Sequence, residues 1–176
     1  ALPLRAEVEL HYSLLAVEPS VRTNWLDAET GFLTAAAWAM EVESFRWQPH
    51  QVNLLCPEGW KVATSLEPVD GGWRAKTFDV LVDSPLALGQ FQELSFSVGG
   101  VPHRWVWQGL QRPAPLDSWQ EQLPKICTAT CALLGEQRPV SKDYLFMTRF
   151  SAKGYGGLEH DLSLIHISEP TRHSSI

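Results

Sequence analysis

The chain has 176 residues, of which 44% are hydrophobic and 19% charged, with eight tryptophans and a net charge of −6. That is enough chain for one domain, or one domain and part of a second, and its composition is that of a globular protein rather than a disordered one. An acidic chain with no Lys/Arg run carries no electrostatic footprint for nucleic acid, and no apolar stretch is long enough to span a bilayer. The first residue is Ala1, not Met, and no signal peptide is legible, so the compartment is left open.

Taken in order, Glu7 to Leu14 alternates, with Val8, Leu10, Tyr12 and Leu14 on one side, the period-2 pattern of a half-buried strand. Asn24 to Gly31 reads as a loop because of Asn24, Asp27 and Gly31. Leu33 to Val42 reads as a strand. Gln51 to Leu55 is a short strand ended by Pro57-Glu58-Gly59, and Trp60 to Leu66 is another. Gly71-Gly72 marks a turn. Leu94 to Val98, Gly99-Gly100 and His103 to Gln108 read as a hairpin, the glycines supplying positive φ. Short strands between turn clusters imply a mainly β fold with a β-sandwich-like domain over residues 1–112.

The character changes at Gln111-Arg112-Pro113-Ala114-Pro115, a linker. After it, Asp117 or Ser118 caps a helix that runs to about Leu134 and is closed by Gly135. Pro124 is expected to kink this helix or to mark the start of its main part. Tyr144 to Phe150 reads as a strand. Residues 113–161 are therefore the opening of an α+β domain. Cys127 and Cys131 lie four apart on the helix and read as small buried hydrophobes rather than a metal pair; with Cys56 they make an odd count, which argues against a disulfide framework.

Leu162 to Arg172, Leu-Ser-Leu-Ile-His-Ile-Ser-Glu-Pro-Thr-Arg, resembles the in-frame translation of a transposase sequencing adapter. Residues 162–176 are accordingly read as a tail foreign to the fold. That sets aside His166 and His173. His11, His50 and His103 are scattered and read as surface or satisfied core residues. Asp83-Ser84-Pro85 has no evident His partner and reads as a capped turn before a proline.

The most specific local signal is Gly154-Tyr155-Gly156-Gly157-Leu158-Glu159-His160, just after the strand that ends at Phe150. It resembles the Gly-Gly-Leu-Glu-His segment of the glycyl aminopeptidase family of zinc peptidases. Ser20 to Asp27, Pro57 to Thr64 and Leu81 to Pro85 resemble that family's N-terminal β domain in the same order, so the resemblance covers nearly all of residues 7–160. It implies an N-terminal β domain followed by the truncated opening of a thermolysin-like α+β catalytic domain. It also implies a peptide substrate with a small N-terminal residue, and zinc in the intact parent, held by an H-E-x-x-H helix and a later Glu, with the motif Glu as general base. No H-E-x-x-H occurs in this sequence. The fragment is therefore expected to hold no catalytic and no metal residues, to bind no zinc, and to be inactive as it stands.

The same resemblance implies that Gly156, Gly157 and Glu159 bind substrate. A free α-amine has a pKa of about 7.7–8.0 and is largely protonated near neutrality, where a glutamate carboxylate is ionised. The carboxylate would hold the ammonium by a charge-assisted hydrogen bond and so set the distance to the first peptide carbonyl. Two glycines would let a substrate backbone lie close, as an added strand. His160 is not read as a zinc ligand. The competing reading is a non-catalytic β-sandwich binding module in which Trp25, Trp38, Trp47, Trp60, Trp73, Trp105 and Trp107 form an aromatic platform for peptide or carbohydrate; against it, tryptophan is mostly a core residue.

Overall fold

The structure is a computed structural model that describes residues 7–109, 116–152 and 154–168. The strands before the first helix are β1 (Trp25–Leu26), β2 (Thr30–Leu33), β3 (His50–Val52), β4 (Lys61–Thr64), β5 (Glu67–Val69) and β6 (Gly72–Ala75). Helix α1 (Phe78–Val82) is followed by β7 (Leu86–Gly89), β8 (Gln92–Val98) and β9 (Val101–Gln108). Helix α2 (Leu116–Leu133) leads to β10 (Tyr144–Phe150), β11 (Gly156–Glu159) and β12 (Ser163–Ser168). The architecture is mainly β, as the alternation and turn signals imply.

Three sheets form. An antiparallel four-stranded sheet has the order β1-β2-β7-β4, and a small one has the order β3-β6-β5. A five-stranded sheet has the order β11-β12-β10-β9-β8, with β9, β10 and β12 mutually parallel. A parallel pair needs a crossover connection, and α2 is the one between β9 and β10. The main core lies between the four- and five-stranded sheets: Trp25, Phe32, Ala63 and Ala87 meet Val106, Leu145, Met147, Ile165 and Ile167. A second core gathers Val52, Leu66, Ala75, Phe78 and Leu81 under the small sheet and α1.

The hairpin follows its sequence signal. Gly99 and Gly100 have φ of 55° and 83°, the paired positive φ of a two-residue turn. Strand β10 lies where the sequence puts it, and helix α2 runs to the expected end, with Gly135 (φ 80°) following it, but it begins at Leu116, so Asp117 and Ser118 lie within its first turn rather than at its cap. Pro124 sits inside a continuous α2, with the Thr128 hydroxyl donating to the Pro124 carbonyl at 2.8 Å.

Four expectations are corrected. Glu7 to Leu14 pairs with no strand among the described residues, and Val8, Leu10, Tyr12 and Leu14 are exposed. Alternation makes a segment amphipathic, but only a pairing partner and a face to cover make it a strand. Leu33 to Val42 is not a strand: β2 ends at Leu33 and Ala35–Ala37 is a 3₁₀ turn, in line with the weak β propensity of its alanines. Asn24 to Gly31 is not all loop, because β1 and the start of β2 flank a turn at Asp27, whose carboxylate accepts the Glu29 and Thr30 N–H groups at 2.9 and 2.8 Å. Finally, part of the segment set aside as a tail belongs to the sheet. Ser163–Ser168 is β12, between β10 and β11, with Ser163, Ile165 and Ile167 buried. Its own period-2 alternation fits the slot. The linker at 111–115 and residues 169–176 lie outside the described residues.

Strands from both sides of residue 112 share the five-stranded sheet, since β8 and β9 precede it and β10 to β12 follow.

Candidate functional site

Gly156, Gly157 and Glu159 fall together on β11, the outermost strand of the five-stranded sheet among the described residues. It pairs antiparallel with β12, with Gly157 opposite His166 and Glu159 opposite Leu164. The His160 N–H donates to the Ser163 carbonyl at 2.8 Å and closes the hairpin. Hydrogen-bonded pairs alternate along an antiparallel ladder, so Leu158 and Gly156 share the inward orientation of His160. The N–H and C=O groups of Gly157 and Glu159 therefore point outward from the sheet edge, available to an added strand.

The side chains alternate too. Leu158 packs on the main core, and a Cβ at Gly156 would lie 3.5 Å from a Val21 methyl. Gly157 and Glu159 occupy the opposite, exposed face. Neither strand glycine has positive φ, and a Cβ at Gly157 would meet nothing closer than the Ile165 carbonyl at 3.9 Å. The backbone thus does not demand glycine at either position. What their missing side chains leave is room. On the face that carries Gly157 and Glu159, Trp105, Trp119, Leu123, Phe146, Phe150 and Leu164 line an apolar groove.

At the end of β11 the chain is tied to the N-terminal half. His160 Nδ1 lies 2.9 Å from Asp83 Oδ1, and the Asp161 N–H donates to Asp83 Oδ2 at 2.8 Å. The His160 side chain is only 7% exposed. This corrects the reading of Asp83 as a residue with no histidine partner. Local sequence held no signal for it, because the partners are 77 and 78 residues apart. Nearby, burial pushes the Tyr144 hydroxyl above its usual range, and the charges of Cys127, Asp83, Asp161 and Glu159 push it the same way. Tyr144 therefore stays protonated.

The other candidates are dispersed. His11 is exposed beside Glu9, His50 packs on Phe78, and His103 Nδ1 lies 2.9 Å from the Val101 carbonyl. Cys127 and Cys131 are half-buried free thiols on α2, and burial pushes the Cys127 thiol up, with Cys131 adding to it. Trp25, Trp105 and Trp107 are buried and Trp38 and Trp73 pack on the second core, so the tryptophans form no common exposed platform. Among the described residues no three His, Cys, Asp or Glu side chains are grouped to hold a metal ion.

Residues 3–90 match the family model described as the peptidase M61 N-terminal domain. The chain is similar, over 88% of its length, to a crystal structure of an aminopeptidase N family protein from Idiomarina loihiensis, with 29% identity and a TM-score of 0.78. The similarity spans 27% of that longer protein. A comparison with curated proteins gives no match.

Proposed function

The chain belongs to the family defined by the peptidase M61 N-terminal domain, and from that premise we propose that it is a segment of a zinc-dependent aminopeptidase whose substrate amine is held at β11. Glu159 receives the ammonium of a peptide's first residue, and the outward N–H and C=O groups of Gly157 pair with the peptide backbone. On the exposed face Gly157 leaves the approach unobstructed, while Gly156 lets the strand lie close to the core. The observation that carries this reading is the edge position of β11, with Glu159 on its exposed face and two glycines that the backbone does not require.

In this reading the zinc ligands lie on an H-E-x-x-H helix that the 176 residues do not contain. Zinc would supply the activated water. The residues of this chain bind and orient the peptide. Small first residues such as glycine and alanine suit a site in which the peptide backbone lies against two glycines.

The 176-residue chain itself tests the reading. It is expected to bind no stoichiometric zinc by metal titration and to release no amino acid from glycyl peptides. Zinc-dependent turnover by these 176 residues overturns it. The proposal that residues 162–176 are adapter-derived is tested by sequencing the coding DNA across the Asp161 codon from a library made without transposase adapters. The expected frame continues past Asp161 into a strand with the same inward apolar alternation as β12, and then into H-E-x-x-H. A stop codon after a genomic Ile176 overturns both.

A further inference from the structure

We infer that Asp83, in the segment matched to the N-terminal domain, is a positioning residue for the amine-binding strand. The inference rests on the reading of Glu159 given above. Asp83 is well placed to be a fixed point. It caps the C-terminal end of α1, its N–H donating to the Asp79 carbonyl at 3.0 Å. At the other end of α1 the Thr77 hydroxyl accepts the Val80 N–H at 3.2 Å. Phe78 and Leu81 anchor the helix in the second core, and Ser84 and all of β7 beyond it are buried. A carboxylate held between a capped helix and a central buried strand has little freedom to drift.

Both of its oxygens are committed to the residues that follow Glu159. A carboxylate only accepts, so His160 Nδ1 carries the proton that faces Oδ1, while Oδ2 takes the Asp161 N–H. This charge-assisted pair joins segments 77 and 78 residues apart in sequence. Glu159 itself makes no comparable anchor and stands on the exposed face of an edge strand. An edge strand is held on one side only, so its last residue would otherwise fray. Fixing the next two residues fixes the direction of the Glu159 Cα–Cβ bond. The imidazole is buried, and its Nε2 has no hydrogen-bond partner among the described residues, so Asp83 is the hydrogen-bond partner that sets the ring orientation. The segment matched to the N-terminal domain thereby sets the geometry of amine recognition.

The test uses the 176-residue chain with triglycine as probe and N-acetyltriglycine as control, followed by ¹⁵N NMR. In the wild type, His160 is expected as the Nδ1–H tautomer with slow Asp161 amide exchange, and triglycine, but not its acetylated form, is expected to shift the β11 resonances. Glu159→Gln is expected to remove the triglycine response and leave the His160 tautomer intact. Asp83→Ala is expected to release the tautomer, speed Asp161 exchange at least about tenfold, and weaken triglycine binding several-fold. Asp83→Asn keeps one acceptor and is expected to fall between. If Asp83→Ala leaves His160 and Asp161 unchanged, or frees them while triglycine binds as in the wild type, the role of Asp83 is overturned. If the wild type and Glu159→Gln respond alike to triglycine, the Glu159 reading fails and the positioning role fails with it, while the His160 and Asp161 signals still report whether the Asp83 contact exists.

Discussion

Asp27 and Arg149 join the two halves of the chain through a handful of atoms. The Asp27 carboxylate accepts two backbone N–H groups of its own turn, and an Arg149 Nη lies 3.6 Å from its Oδ2. The same guanidinium sits 3.6 Å over the Trp25 ring, a cation–π contact at the edge of the main core. Burial alone would push the Asp27 carboxyl up, but the Glu29 and Thr30 N–H groups, the Thr30 hydroxyl and Arg149 outweigh it and hold it below the usual value. A carboxyl lowered in the folded state contributes stability above its unfolded pKa, about 3.9, and loses it as pH falls through the folded value. Asp27→Asn is therefore expected to cost about 1 kcal/mol at pH 7, a modest figure because the side chain is half exposed. The difference from the wild type should vanish in strong acid. Urea unfolding at pH 7 and below pH 3 checks both statements.

Among the elements, β11 bears the proposed amine site and β12 ties it to the rest of the sheet. Leu158 and Gly156 face the core side while Gly157 and Glu159 face outward, so in the proposed site packing and recognition fall to opposite faces. Since a Cβ at Gly157 meets only ordinary contacts, Gly157→Ala is expected to leave stability unchanged or raise it by up to about 1 kcal/mol, because glycine loses more entropy than alanine on ordering. The same change is expected to weaken triglycine binding, because the methyl group stands beside Glu159 on the face from which the peptide amine reaches it. Thermal unfolding and the NMR titration separate the two effects. A loss of stability with unchanged binding would mark the glycine as structural. In β12, six residues of alternating pattern fill the gap between β10 and β11. A strand slot selects for inward apolar residues at every second position and is indifferent to where the sequence came from.

Over the whole molecule, the main core is built by two sheets from opposite ends of the chain. Trp25, Phe32, Ala63 and Ala87 lie within residues 3–90, whereas Val106, Leu145, Met147 and Ile165 lie beyond it. Neither set buries its apolar face without the other, so residues 3–90 are not expected to unfold independently of the rest. Tryptophan fluorescence and far-UV circular dichroism are expected to give coincident urea transitions. Two separated transitions would show that the shared core does not couple the halves.

The sequence by itself determined the mainly β class, the Gly99-Gly100 hairpin, helix α2 and strand β10, because turn residues and period-2 or helical patterning act over a few neighbouring residues. It also carried the family resemblance, through motifs whose order survives without knowledge of contacts. Tertiary structure alone decided the rest. It left Val8 to Leu14 unpaired, drew Ser163–Ser168 into the sheet, and set β8 and β9 beside β10 across residue 112. It also brought Asp83 to His160 and Asp161. Each of these depends on which distant segment supplies a partner, and no local pattern encodes the identity of a partner 77 residues away.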